Sequence, residues 1–270
     1  MPRQSSSTVS PSLALGLGVF AFLYAPILVV ALQSLNNARH GAEWKGLTFS
    51  WYSQLASNDA IRSASWNTLQ LAAFSTVIST LLGTALAYGL SRFPIQRHTR
   101  WAVDGLTQLP TYVPDIVLAA GFLVFFELAR PLLPALQPGL PTMVCAHVTV
   151  QIPFVSMVVR ARLAGFDRSL EEAAHDLGAT PLQTFRFVTW PILQPGVAAG
   201  ALLAFTISLD DFILSFFTSG PGSTTLPMFI YSSVKRGVTP EINALSTLLI
   251  IASALAVALS LRWQSRSSAP

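Results

Sequence analysis

Six long apolar runs govern what this chain can become. They cover Leu13 to Leu35, Thr68 to Leu90, Leu106 to Leu128, Thr142 to Val159, Ile192 to Phe217 and Ala244 to Leu261. Crossing a hydrocarbon core of about 30 Å takes roughly 20 predominantly apolar residues in a helix. Only helices and closed barrels satisfy their own backbone polar groups at that depth. The runs therefore predict an all-α polytopic membrane bundle of about six transmembrane helices. Charge agrees: 10% of the 270 residues are charged, against about 25% in soluble domains.

Pro110, Pro114 and Asp115 interrupt the third run, and His147, Gln151 and Pro153 the fourth. Such residues persist at membrane depth where neighbouring helices or water satisfy the polar groups they free, so the bundle is expected to line something polar. With the amino terminus placed inside, ten of the sixteen Lys and Arg residues fall on inner flanks and six on outer ones. The positive-inside rule then places both termini in the cytoplasm, as tails over residues 1–12 and 262–270 around a membrane domain over 13–261. The first run is longer than the apolar core of a cleaved signal peptide, about 7–15 residues, and reads as an uncleaved anchor. The basic residues form no dense patch, so membrane flanking rather than nucleic acid accounts for the net charge of +4. Cys145 is the single cysteine, which excludes an internal disulfide, and four scattered histidines give no metal site.

Between the fourth and fifth runs, Arg160 to Trp190 is long enough to hold structure of its own. Ser169 followed by Glu172 matches a capping box and predicts a helix start. Leu170, Ala173, Ala174 and Leu177 then recur at helical spacing, opposite Glu171, His175 and Asp176. Gly178 stops this helix. Thr180-Pro181-Leu182-Gln183 repeats the opening signal and predicts a second short helix running toward Trp190-Pro191. A helix striped with alanine and lacking Trp or Phe makes a poor anchor in the lipid interface. It suits close approach to a protein groove, although resting on the interface or packing on its own chain stays open at this point.

Glu172-Ala173-Ala174, three residues, Gly178, nine residues and Val188-Thr189-Trp190-Pro191 resemble the EAA signature of permease subunits of ATP-binding-cassette importers. Trp190 stands for the usual leucine and Val188 for the usual isoleucine. The resemblance implies a type I importer permease fold. It also implies a coupling loop over 160–190 that docks in a cleft of a separate ATPase, with Glu171, Glu172, Ala173, Ala174, Asp176, Gly178 and Pro191 as its coupling residues. No G-x-x-x-x-G-K-[ST] phosphate loop, H-E-x-x-H or G-x-S-x-G occurs, so the chain is expected to be a non-catalytic subunit with no cofactor of its own, ATP and Mg being used by the partner.

Carboxylates inside a span cost about 2.5–3.5 kcal/mol on insertion scales and mark cavities or partners. Counting at about 1.5 Å per residue puts Asp115 roughly 16 Å into the third run from Asp104, and Asp210 and Asp211 about 20 Å along the fifth from Val197. Tyr112, Phe212, Phe216 and Tyr231 supply aromatic faces, and carboxylates with aromatic rings suit an organic cation. The alternative is that these aspartates bind backbone amides at helix breaks. Glu127 and Glu241 fall at run ends, where solvation is cheap.

The segments Phe205 to Leu214, Ser219 to Met228, Val238 to Leu245 and Val113 to Val117 resemble the second permease subunit of putrescine and spermidine importers. That resemblance implies an ATP-driven polyamine importer of the bacterial inner membrane, with putrescine placed ahead of spermidine by the Gly-Pro-Gly loop. Its implied partners are a second permease subunit in a heterodimer, an ATPase dimer and a periplasmic polyamine-binding protein, with no nucleic acid. A proton-coupled secondary transporter, with Asp115 and the Asp pair as protonation sites, and a regulatory membrane subunit that moves nothing are the competing classes.

Overall fold

The computed structural model of the chain describes residues 11–38 and 43–267. Residues 1–10 of the expected N-terminal tail, Arg3, Arg39 and residues 268–270 lie outside them. Helices dominate: α1 Pro11–Gln33, α2 Ser50–Ser57, α3 Asp59–Arg92, α4 Arg97–Tyr112, α5 Asp115–Ala129, α6 Leu140–Ala164, α7 Ser169–Asp176, α8 Pro181–Thr184, α9 Trp190–Asp210, α10 Ile213–Thr218, α11 Leu226–Arg236 and α12 Pro240–Ser267. Among the described residues the one extended pairing is an isolated bridge between Asn36 and Leu47.

Among the described residues, four helical stretches are long and apolar enough to cross a membrane: Leu15–Gln33, Asp59–Arg92, Leu140–Ala164 and Pro181–Asp210. The third expected span differs from its sequence reading. It is a pair, α4 and α5, bent by 110°. Val113, which precedes Pro114, is extended at φ −86° and ψ 132°, because the proline ring disfavours helical backbone in the residue before it. The sixth expected span lies within α12, which continues as helix through Arg262 and Arg266 where a tail was expected.

The chain forms two compact units. One contains the described residues up to Asp59 and those from Ile230 onward. Its first loop is organised around Asn36, whose side-chain oxygen accepts from the amides of Ala38 and Lys45 while its amide donates to the Glu43 carbonyl. The Trp51 indole donates to the Asn36 carbonyl at 2.8 Å. Within this unit α12 packs against α1 and α2.

The second unit, Ala60–Phe229, holds the loop and most of the acidic residues. Its centre is the packing of α6 on α9 and α3. Val155 is fully buried between Gly83 and Gly200, and a Cβ at Gly83 would fall 2.8 Å from the Val155 Cβ. Small residues replace the hydrophobic drive that is missing between helices in lipid, because they bring backbones close enough for dispersion to hold them. Ala87, Val159, Leu163, Leu193 and Ala204 complete this cluster. A second cluster joins α5, α6 and α10 through Ala119, Val150 and Leu214.

Candidate functional site

The loop between α6 and α9 is fixed by local chemistry at each corner. Helix α7 begins one residue differently from the capping-box expectation. Arg168 occupies the cap position, Ser169 is the first helical residue, and its amide donates to Asp167 Oδ1 at 3.0 Å. Asp167 precedes the turn and reaches forward, so it accepts from the Ser169 amide that the Glu172 side chain would take in a capping box. The amide and hydroxyl of Ser169 hold the Asp167 carboxyl below the usual carboxylate range.

At the other end Gly178 adopts φ +83°. Its amide donates to the His175 carbonyl and that of Ala179 to the Ala174 carbonyl, at 2.9 and 3.0 Å, which is the paired-bond helix stop that favours glycine. Thr180 and Gln183 then form the expected reciprocal box around Pro181. The second helix is shorter than its sequence signal, four residues long, and passes through a π-helical turn, Phe185–Thr189, into α9. Pro191 has no amide to offer the preceding turn, and the Trp190 amide reaches back five residues to the Phe185 carbonyl.

The two glutamates of the loop face opposite ways. Glu171 accepts from the Thr189 hydroxyl at 2.6 Å and pairs with Arg92 at the end of α3 at 3.0 Å. Arg92 in turn lies 4.7 Å over the Phe166 ring, and Arg168 donates to the Ser91 carbonyl. These contacts tie the base of the loop to α3. Glu172, Ala173, His175, Asp176 and Gly178 are exposed, Ala174 is half-buried, and Pro191 is exposed at the start of α9. Leu170, Leu177 and Leu182 are also exposed, Leu177 at 89%. The apolar stripe therefore points largely away from the protein, and on the opposite face Glu171 turns inward while His175 and Asp176 stay exposed.

In the membrane region the neighbouring aspartates also part. Asp211 ends α9 and caps α10, with Oδ1 accepting from the Leu214 amide at 3.3 Å and Oδ2 from the Ser215 amide at 2.8 Å. Its Oδ2 lies 3.2 Å from His147 Nε2. His147, 1% exposed, also meets Ser208 through Nδ1 at 2.9 Å and Ser215 through Nε2 at 3.2 Å. Ser208 continues to Ser75, and Ser75 to Gln151, whose amide donates to the Ala204 carbonyl. Asp210 is exposed and has no ion pair or hydrogen bond among the described residues.

Asp115 is exposed in the first turn of α5, and Tyr112 is 83% exposed at the end of α4. The 110° bend lies between them, so the depth of about 16 Å counted along one straight helix does not describe Asp115. It stands one turn before Ala119, and Asp211 three residues before Leu214, so both acids border the cluster of α5, α6 and α10. Phe212 and Phe216 have ring centroids 5.4 Å apart. Tyr231 belongs to the other unit, where Lys235 lies 5.0 Å over its ring.

Sequence reasoning noted His147 and Gln151 only as interruptions and did not anticipate Arg92, Thr189, Ser75, Ser208 or Ser215. Their spacing was a usable signal: His147 and Gln151, four apart, share one face of α6, the arrangement that brings i and i+4 side chains together on a helix.

Comparison with known proteins extends this geometry. The family described as binding-protein-dependent transport system inner membrane component matches residues 79–268. The spermidine/putrescine transport system permease protein PotC of Escherichia coli (strain K12) is 40% identical over 239 residues, covering 88% of this chain and 88% of that protein. The putrescine transport system permease protein PotI of the same strain is 42% identical over 232 residues, covering 86% and 82%. In structure, a chain of a bacterial ABC transporter involved in the import of the acidic polysaccharide alginate superposes with a TM-score of 0.73 at 20% identity, over 96% of this chain and 95% of that one.

Proposed function

The chain belongs to the family of binding-protein-dependent transport system inner membrane components, and from that premise we propose that it is one half of the translocation path of a polyamine importer. It is a multi-pass inner-membrane permease subunit and carries out no catalysis itself. The heterodimeric second permease, the ATPase dimer that uses ATP and Mg, and the periplasmic polyamine-binding protein are the partners in this reading. Both termini and the loop of residues 160–190 face the cytoplasm in it.

The observation that carries the coupling role is the two-faced α7. Its inward Glu171 is locked to Arg92 and Thr189, while Leu170, Ala173 and Leu177 form an exposed apolar strip flanked by the exposed carboxylates Glu172 and Asp176 and ended by Gly178. Such a face fits a protein cleft and leaves the loop rigidly joined to α3 and α9. For the substrate, Asp210 supplies an exposed carboxylate two residues before Phe212, whose ring pairs with that of Phe216, and Asp115 a second one three residues after the exposed Tyr112. Carboxylates flanked by aromatic faces suit an aliphatic diamine through ion pairing and cation–π contact. The relatives' names place putrescine and spermidine first among such cations.

ATP-dependent uptake of labelled putrescine into vesicles containing the complete complex, with spermidine as competitor, tests this. Asp210→Asn is expected to lose uptake while the complex stays assembled. Absence of putrescine and spermidine uptake in wild type would overturn the substrate reading and leave family membership untouched.

A further inference from the structure

A groove on the flank of the second unit includes no residue of α7 and none of the aspartates. It is lined by Leu81, Thr84 and Tyr88 of α3, Phe185 of the π-helical turn, and Trp190 and Val197 of α9, and has a volume of about 410 Å³. The lining is apolar: the hydroxyl oxygens of Thr80 and Thr84 are themselves buried. It shares Phe185 and Trp190 with a second, more open groove of about 610 Å³ that includes Arg186. Arg186 is exposed, stands 5.8 Å over the Phe187 ring, and has no carboxylate partner among the described residues.

Depth follows from the helix rise. Tyr88 lies about 6 Å and Thr80 about 18 Å along α3 from the charged end at Arg92. The apolar groove thus covers about one leaflet of a hydrocarbon core of roughly 30 Å, and Arg186 belongs to the segment at its surface end. An ATPase docked on the loop does not reach that depth, and a cationic solute is repelled by the arginine.

We propose that this is a binding site for one anionic phospholipid, with an acyl chain between α3 and α9 and the headgroup phosphate on Arg186. A guanidinium matches phosphate oxygens through its fixed fork of donors, tryptophan favours the headgroup level, and basic residues at the surface end of an interhelical groove recruit anionic headgroups. The lipid touches Phe185 and Trp190, which bracket the π-helical turn between loop and span, so its occupancy braces the segment that joins the two. The inference rests on inner-membrane placement alone and is independent of the transported solute.

The test uses the assembled importer in phosphatidylcholine vesicles containing a minor fraction of phosphatidylglycerol with a photoactivatable diazirine on one acyl chain. Cross-links are then mapped by peptide mass spectrometry. Labelling of the 81–88 stretch and of Val197 is expected at about fivefold above the exposed α1 helix, the ratio that one arginine contributing about 1 kcal/mol to an anionic headgroup gives. Arg186→Ala brings it to the α1 level, Arg186→Lys retains most of it, and Ala85→Trp, which fills the groove, removes it. Equal labelling by phosphatidylcholine carrying the same diazirine, or labelling unchanged in Arg186→Ala, would overturn the proposal. So would cross-linking of the groove to the second permease subunit in place of lipid.

Discussion

Two pairs of adjacent acids, Glu171-Glu172 in the loop and Asp210-Asp211 at the end of α9, are divided in the same way. In the loop the first member is held, by Arg92 and Thr189, and the second is exposed. In the membrane region the order is reversed: Asp211 is held by His147 and two backbone amides, and Asp210 is exposed. Successive helical positions differ by about 100°, so one pair supplies both an anchor and a free charge from a single turn of backbone. The held member sets the geometry and the free one is left for a partner or a solute.

That division is open to direct attack. The largest loss of stability is expected from Asp211→Ala, which uncaps α10 and strips His147 of its carboxylate, at about 3 kcal/mol. A fall in the melting temperature of the purified complex measures it, and Asp210→Ala should leave that temperature unchanged. Glu171→Ala leaves the largely buried Arg92 without its partner and should cost about 2 kcal/mol, whereas Glu172→Lys should keep the fold. That lysine variant is expected to lose uptake by about tenfold or more, equivalent to about 1.4 kcal/mol, with ATP hydrolysis uncoupled from transport. If Glu172→Lys destabilises as much as Glu171→Ala, the held-and-free description fails.

Smaller effects sharpen it at the corners of the loop. Gly178→Ala places a Cβ at φ +83° and should cost about 1 kcal/mol, read as faster proteolysis after α7. Thr180→Ala removes a cap and should cost about 1 kcal/mol, measured the same way. The smallest is a pH effect. The folded carboxyl of Asp167 titrates below its ordinary value of 3.8. Its contribution to holding the start of α7 is therefore present above that value and disappears as pH falls through the lower folded one. Amide exchange at Ser169, corrected for the intrinsic pH dependence of exchange, should lose protection over that acid range in wild type, and Asp167→Asn should flatten the change.

Much of the architecture was legible because lipid imposes few solutions. Runs of about 20 apolar residues must be helices, and α1, α3, α6, α9 and α12 appear where the runs stand. Gly178 and the Thr180–Gln183 box were legible because they act on backbone within four residues of themselves. Ser169 misled for the same local reason: Asp167, two residues upstream, competes for the same amide and holds it. The third run misled because apolarity does not report direction. Pro114 sends the chain off at 110° without changing the hydropathy on either side.

The sequence by itself determined the membrane helices, the punctuated loop and the family to which the chain belongs, since each depends on composition or on contacts between near neighbours. Only the tertiary structure decided which acid of each pair is held. Arg92 is 79 residues from Glu171, and His147 is 64 from Asp211, and the packing of α3 and α6 against α9 around Val155 brings such distant partners together. A periodic pattern fixes which residues share a face. It does not fix what another helix presents to that face, and in a low-dielectric interior that partner decides where a charge can reside.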